Sequence, residues 1–420
     1  MMGRILNSRS FRKYWNHKPA VVASVVIAGY VIVSLAIVLG DFVTIEDCEQ
    51  RVAPGEVPGF GILPAPSAEL DVQEEYVEEV SRLVEKREET PNSEEVCRFM
   101  GLEVADRQPT ELNAQIEKYF QVVSPLYQMD DIDDLVEEGG SRSAEIQASL
   151  AEARKIQESL YSADTWNSTG RSMELMLGTD RQGRSIFLRS VYSIKVAITV
   201  GFVTGILAVG VGTILGLLAG YSGGWVDGLV TWLYSTFASI PNIVLLMVIA
   251  WVFQGGEVDA LLNSLTSGYF EKLIGGALEE TLIPVIMAFA ATYWIGPCRI
   301  IRGETLKLRE SEYVQAARVM GFSRVRILLR HVLPNLSHLM LINFSLLFIG
   351  AIKSEVILSF LGLGVQRGAS WGKMIDASKS DVANGMFWQI GAATAFMFGL
   401  VLAFNILSDA LQDILDPKHV

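Results

Sequence analysis

Four stretches of the chain, residues 20–40, 196–220, 228–253 and 385–407, contain no charged side chain. A helix needs roughly 20 apolar residues to cross a hydrocarbon core about 30 Å thick at about 1.5 Å rise per residue. Each stretch therefore reads as a spanning helix, because inside lipid a segment must satisfy its own backbone hydrogen bonds. Two shorter runs, about 281–298 and 336–352, add two candidates, and the second is read as continuing past Lys353 and Glu355 toward Leu363. The expected fold class is all-α: a polytopic membrane protein with six transmembrane helices.

Composition agrees and adds a second chemistry. Half of the 420 residues are hydrophobic and 19% are charged, too apolar for a soluble protein of this size. The net charge of -13 is concentrated: residues 41–180 hold 32 Asp and Glu against 11 Lys and Arg, leaving about +8 for the remainder. Three regions follow: 1–40, a tail and the first helix; 41–175, an acidic insert between helices 1 and 2; and 176–420, the membrane body. Within the insert, Tyr76, Val77, Val80, Leu83 and Val84 recur at helical spacing, as do Ile146, Leu150, Ala153 and Leu160. The insert reads as mainly helical, behind a Pro/Gly-rich linker from Pro54 to Pro66, and its charge serves either as a solvated face or as a docking surface.

Orientation follows from the basic residues, which collect on the cytoplasmic side. Arg4, Arg9, Arg12, Lys13 and Lys18 precede helix 1; Arg299, Arg302, Lys307, Arg309, Arg318, Arg324, Arg326 and Arg330 fall between helices 4 and 5. Both termini are thus expected in the cytoplasm and the insert outside. The first helix is longer than a signal h-region and lacks a small-residue cleavage site, so it reads as a retained anchor. Outside the cytoplasm a disulfide between Cys48 and Cys97 is permitted. Cys298 reads as a packing residue.

The stretch from Glu310 to Asn335 carries the most information. Tyr313, Ala316, Ala317 and Met320 share one helical face; Gly321 suits a positive φ at a helix end; Ser323 suits the cap of a second helix with a face of Val325, Leu328, Leu329 and Val332. Pro334 marks entry to helix 5. Two adjacent alanines would let another protein approach the backbone closely, and the arginines suit acidic partners. An ordinary amphipathic, Arg-rich interfacial loop is the alternative.

This stretch resembles the EAA loop of binding-protein-dependent ABC importer permeases, with Gln315, Ala316, Ala317, Gly321, Leu333 and Pro334 on the motif spacing, Gln315 in place of Glu and His331 in place of Ile. The run Leu177-Gly178-Thr179-Asp180-Arg181-Gln182-Gly183-Arg184 is similar to the LGTD-x-x-GRD signature of the dipeptide, oligopeptide and nickel branch, with Ser185 replacing the final Asp. Leu358 to Gln366 and Ser370-Trp371-Gly372 resemble its LSFLGLGVQ and SWG elements, and Leu415-Asp416-Pro417 adds a weaker match. The likeness covers about 175–420 closely, 1–40 loosely and the large insert not at all.

The resemblance implies the second, C-type permease subunit of a peptide or related small-solute importer in a bacterial inner membrane, with a cytoplasmic coupling loop over 303–335. Coupling to the ATPase would fall to Tyr313, Gln315, Ala316, Ala317, Arg318, Gly321, Arg324 and Pro334. The implied partners are a second permease in a heterodimer, two ATP-binding subunits or domains, an extracytoplasmic solute-binding protein and membrane lipid, with no nucleic acid. No G-x-x-x-x-G-K-[ST] phosphate cradle occurs, so the chain is not expected to be an enzyme or to bind a cofactor; ATP and Mg belong to the partners. The four histidines are scattered, and no metal site is expected.

Within the spans, Gly201, Gly205, Gly210, Gly212, Gly216 and Gly220 suit close helix packing or a pore wall. Asn242, after the helix-breaking Pro241, and the charges Lys353 and Glu355 are candidate pathway or structural residues. A secondary transporter would show an internal repeat, and a membrane-anchored receptor would need few spans; neither pattern is present.

Overall fold

The computed structural model describes residues 17–40, 43–49, 141–160, 176–180, 183–254, 282–383 and 386–415, with isolated positions between 118 and 125. Cys97, Tyr76 to Val84 and the Pro54–Pro66 linker lie outside these residues.

Among the described residues the regular elements are helices joined by turns, with one isolated bridge between Thr179 and Ser185. Its elements are α1 (Lys18–Gly40), α2 (Ile45–Glu49), α3 (Ser141–Leu160), α4 (Ile186–Ser222), α5 (Gly224–Ala238), α6 (Asn242–Gln254), α7 (Ile283–Tyr293), α8 (Ile295–Arg309), α9 (Glu312–Val319) and α10 (Arg324–Ile327). A π-helical turn, Leu328–Val332, leads into α11 (Leu333–Phe360), followed by α12 (Trp371–Ala383) and α13 (Trp388–Leu415). Among the described residues, five helices or helix runs are long and apolar enough to cross a membrane: Lys18–Gly40, Ile186–Ser222, Ile283–Arg309, Arg324–Phe360 and Trp388–Asp413. A sixth is obtained only by joining α5 to α6, which meet at 93°. The break expected at Pro241 within the third span, 228–253, thus separates α5 from α6. Pro241 has no N–H to donate and its ring opposes the preceding turn, so the helix ends at Ala238 and restarts at Asn242.

The chain divides into two compact units, one of Met1–Gly40, Ile194–Arg367 and Met397–Val420, the other of Asp41–Ser193 and Gly368–Phe396. The second unit thus joins Gly368–Phe396 to Asp41–Ser193.

In the first unit, glycine sets how closely helices approach. A Cβ at Gly212, Gly216 or Gly220 would lie 2.7 Å from the Trp294 carbonyl oxygen, 2.8 Å from that of Cys298 and 2.8 Å from that of Arg302. The three form a stripe along α4 that meets the backbone of α8, the small-residue packing helices use in lipid, where no hydrophobic effect draws them together. Gly201 and Gly205 receive the rings of Phe348 and Phe344 from α11, whereas Gly210 faces open space. Cys298 is fully buried in this seam. Arg302 bridges α8 to α5 through a two-pronged pair with Asp227 at 2.5 and 2.8 Å.

In the second unit the LGTD and SWG residues come together. Trp371, 1% exposed, donates from its indole to the Ser190 carbonyl at 3.2 Å, and Trp388 donates to that of Thr179 at 2.9 Å. Asp180 is buried and accepts from the Arg184 backbone at 2.9 Å, from the Arg184 side chain at 2.8 Å and from the Arg189 guanidinium. Burial pushes the Asp180 carboxyl up, but the two guanidinium groups overcome this and hold it below its ordinary value. Burial and the neighbouring Arg189 lower the Lys373 ammonium. Cys48 is buried with its Sγ 3.9 Å from the Leu188 carbonyl oxygen.

Candidate functional site

The site is the helix–glycine–helix element between α8 and α11. Ser311 has extended backbone before α9, and its hydroxyl donates to the Leu308 carbonyl at 2.5 Å. Glu312 in the first turn and Arg318 in the last both match the helix dipole. The helix closes in a Schellman arrangement: Phe322 N–H bonds to the Ala317 carbonyl at 3.2 Å and Gly321 N–H to that of Arg318 at 3.0 Å. Gly321 has φ 79° with no neighbouring atom within 4 Å of an added Cβ. Ser323 then caps α10 by accepting from the Arg326 N–H at 3.3 Å. A left-handed φ costs a β-branched residue roughly 1–2 kcal/mol. Gly321→Val should therefore lower the unfolding midpoint of the detergent-solubilised protein, while Gly321→Asn should lose less. Equal midpoints for wild type and valine variant would show that the turn relaxes without cost.

Beyond α10 the chain does not stop and restart as two separate helices. A π turn carries it straight into α11, with Leu333 N–H bonded to the Leu328 carbonyl. Pro334 in the first turn of α11 has no N–H for a regular ladder bond, which accounts for the wider turn. Asn335 donates to the His331 carbonyl at 2.8 Å and to the Tyr313 hydroxyl at 2.9 Å, tying α9 to α11. His331 stacks on Phe322, with ring centroids 6.0 Å apart.

The expected apolar faces are divided differently. Ala317 is 0% exposed and packs with Val314, Ile327, Val332, Leu217, Tyr221 and Ile301 in one core. It therefore meets its own chain, and the reading of both alanines as an open groove-facing pair is corrected: Ala316 alone of the two is exposed. On a helix, positions 314 and 317 share a side, and that side has turned inward. What faces outward is Val319 at 89%, Met320 at 65%, Val325 at 65% and Leu329 at 59% exposure, with Tyr313 beside them. The arginines are also partly engaged: Arg318 lies over the Tyr221 ring at 5.7 Å and Arg326 over Phe322 at 5.7 Å, while Arg324 is exposed. Gln315 is exposed and donates to the Glu310 carbonyl at 3.1 Å. The element is a rigid wedge, seated through Ala317 and Val332 and presenting four aliphatic side chains.

The other candidates sit elsewhere in the same unit. Glu355 is 1% exposed and accepts from the Ser359 hydroxyl at 2.6 Å, which in turn accepts from the Val365 N–H at 3.2 Å. That chain of bonds pins the turn after α11, where Gly362 has φ 77°. Lys353 is exposed and does not share this network. Asn242 opens α6 and lines the same cavity as Tyr293, whose hydroxyl donates to that of Ser354 at 2.6 Å. Tyr293 itself was missed in the sequence, being indistinguishable there from any aromatic residue of a span.

Comparison with known proteins places this geometry in context. Residues 212–419 match the family described as binding-protein-dependent transport system inner membrane component. The chain is 31% identical over 258 residues to the dipeptide transport system permease protein DppC of Bacillus subtilis, spanning 61% of this chain and 70% of that protein. It is 31% identical to the oligopeptide transport system permease protein OppC of Haemophilus influenzae, over 61% of this chain and 76% of the relative. It is 32% identical to the glutathione transport system permease protein GsiD of Pectobacterium atrosepticum, over 62% and 78% respectively.

Proposed function

Because this chain belongs to the binding-protein-dependent transport system inner membrane components, we propose that it forms half of a peptide pathway in a heterodimer with a second permease. Its place as a multi-pass inner-membrane translocation subunit of an ATP-driven importer follows from the family, as does hydrolysis by partner subunits. Peptide as the solute is favoured by the relatives, whose names specify dipeptide, oligopeptide and glutathione transport. Two ATP-binding subunits or domains on the cytoplasmic side and a binding protein outside complete the assembly, with both termini cytoplasmic as the arginine distribution indicates.

The observation that carries the coupling assignment is the wedge. Four exposed aliphatic side chains on a backbone tied down by a Schellman turn, a serine cap and the Asn335–Tyr313 bond are suited to a partner's cleft. A rigid element joined directly to two spanning helices passes on a displacement that a flexible loop would absorb. Tyr313, Gln315, Ala316, Arg318 and Arg324 line or flank the outward side, and Ala317, Gly321 and Pro334 hold its shape. The test is reconstitution of the two permeases, ATP-binding partner and binding protein in proteoliposomes. Labelled di- or tripeptide should accumulate only with ATP and binding protein present; ATP-dependent uptake of a non-peptide solute in place of peptide would overturn the solute reading.

A further inference from the structure

The break between α5 and α6 opens onto a cavity of about 700 Å³, within the range of a small-solute site. We infer that this cavity is a solute-contacting chamber of the translocation pathway, and that it receives peptide-like solutes through amide groups without selecting by charge. The inference rests on the peptide-permease reading above and adds where the solute is met and on what chemistry.

The first support is the backbone. Ser239, Ile240, Pro241 and Asn242 are non-helical or helix-initiating, and all four are exposed at the junction of two apolar helices. Irregular backbone at membrane depth is tolerated only where protein buries it or water lines it, because lipid offers no hydrogen-bond partner. The second is the polar lining. Ser239 and Asn242 face the cavity from one wall and Thr292 and Tyr293 from the other. Tyr293 donates to the Ser354 hydroxyl at 2.6 Å, so polar groups link α7 to α11 on the wall that faces Asn242 of α6. Stacking on Phe289, with centroids 5.4 Å apart, fixes the ring. The third is charge: none of the lining residues is acidic or basic, although Asp227 and Arg302 stand paired on the flanking helices α5 and α8. The Ser239, Thr292 and Tyr293 hydroxyls already donate within the protein, so such a wall offers oxygen acceptors to a peptide N–H and no charge that would select by side-chain sign.

The proposal predicts that a charge placed in the chamber creates a charge preference that the natural protein lacks. In the reconstituted complex, uptake of an acidic and a basic tripeptide is measured with one binding protein throughout, so that its own preference cancels in the ratio. Asn242→Asp should shift the basic-to-acidic ratio by about tenfold relative to wild type, the scale of a unit charge acting over several ångström in a protein-lined passage. Ser239→Asp, across the break, should shift it in the same direction and decides the matter if Asn242→Asp fails to assemble. A wild-type ratio in assembled, ATP-hydrolysing Ser239→Asp complexes would overturn the chamber. A wild-type complex that imports neither peptide would instead overturn the solute reading on which it rests.

Discussion

Asp180→Asn should destabilise the fold by about 3–5 kcal/mol, the usual cost of removing one partner from a buried ion pair. The carboxylate is 3% exposed and the Arg189 side chain 4% exposed, so the substitution leaves a guanidinium out of water without its countercharge. Arg184, 21% exposed, reaches solvent and suffers less. The unfolding midpoint in detergent reads the loss directly. The double variant Asp180→Asn with Arg189→Met should recover much of it, because removing both ions removes the desolvation penalty as well. The pH dependence has a definite sign. The folded-state carboxyl titrates below its ordinary value of 3.8, so its contribution is complete above that value and is lost as pH falls through the lower folded value. The gap between wild type and Asp180→Asn should therefore narrow only on the acid side. A gap that stays constant down to the acid limit, or a single variant as stable as wild type, would show that the ion cluster does not hold this unit together.

Met320→Asp combined with Leu329→Asp should weaken capture of the ATP-binding partner by about a thousandfold, taking about 2 kcal/mol for each central apolar contact. Both side chains are more than half exposed, at 65% and 59%, so the chain itself loses little when they become charged. Co-purification and solute-stimulated ATP hydrolysis should fall together while the protein remains inserted and folded. Ala148→Trp, on the exposed side of α3, is the control and should leave both readouts at wild-type level. Retention of the ATPase by the double variant would remove the wedge from the docking interface.

Much of the membrane body was legible because its signals are local. Charge-free length marks a span wherever it occurs, since lipid imposes the same requirement on every segment. Gly321 and Ser323 were legible because positive φ and N-capping are properties of one residue and its immediate neighbours, and the structure places them at φ 79° and at the Arg326 N–H. Pro241 likewise announced a disruption of the third span.

What periodicity could not supply was direction. It groups Tyr313, Ala316, Ala317 and Met320 on one broad face, but only the cores contributed by α4, α8 and α11 decide that Ala317 turns inward and Met320 outward. The cavity at the break is completed by Thr292 and Tyr293 of α7 and by Leu347 and Gly350 of α11, which lie far along the chain from Pro241. The same holds for Trp371 meeting Ser190, 181 residues apart, and for Arg189 reaching Asp180 from the next helix. The sequence by itself determined the spans, the turn residues and the family likeness, because each rests on short-range chemistry that a few neighbouring residues fix. Only the tertiary structure decided which face is seated, which is open and where polar groups converge, because burial is a property of pairs of surfaces and no single segment contains both.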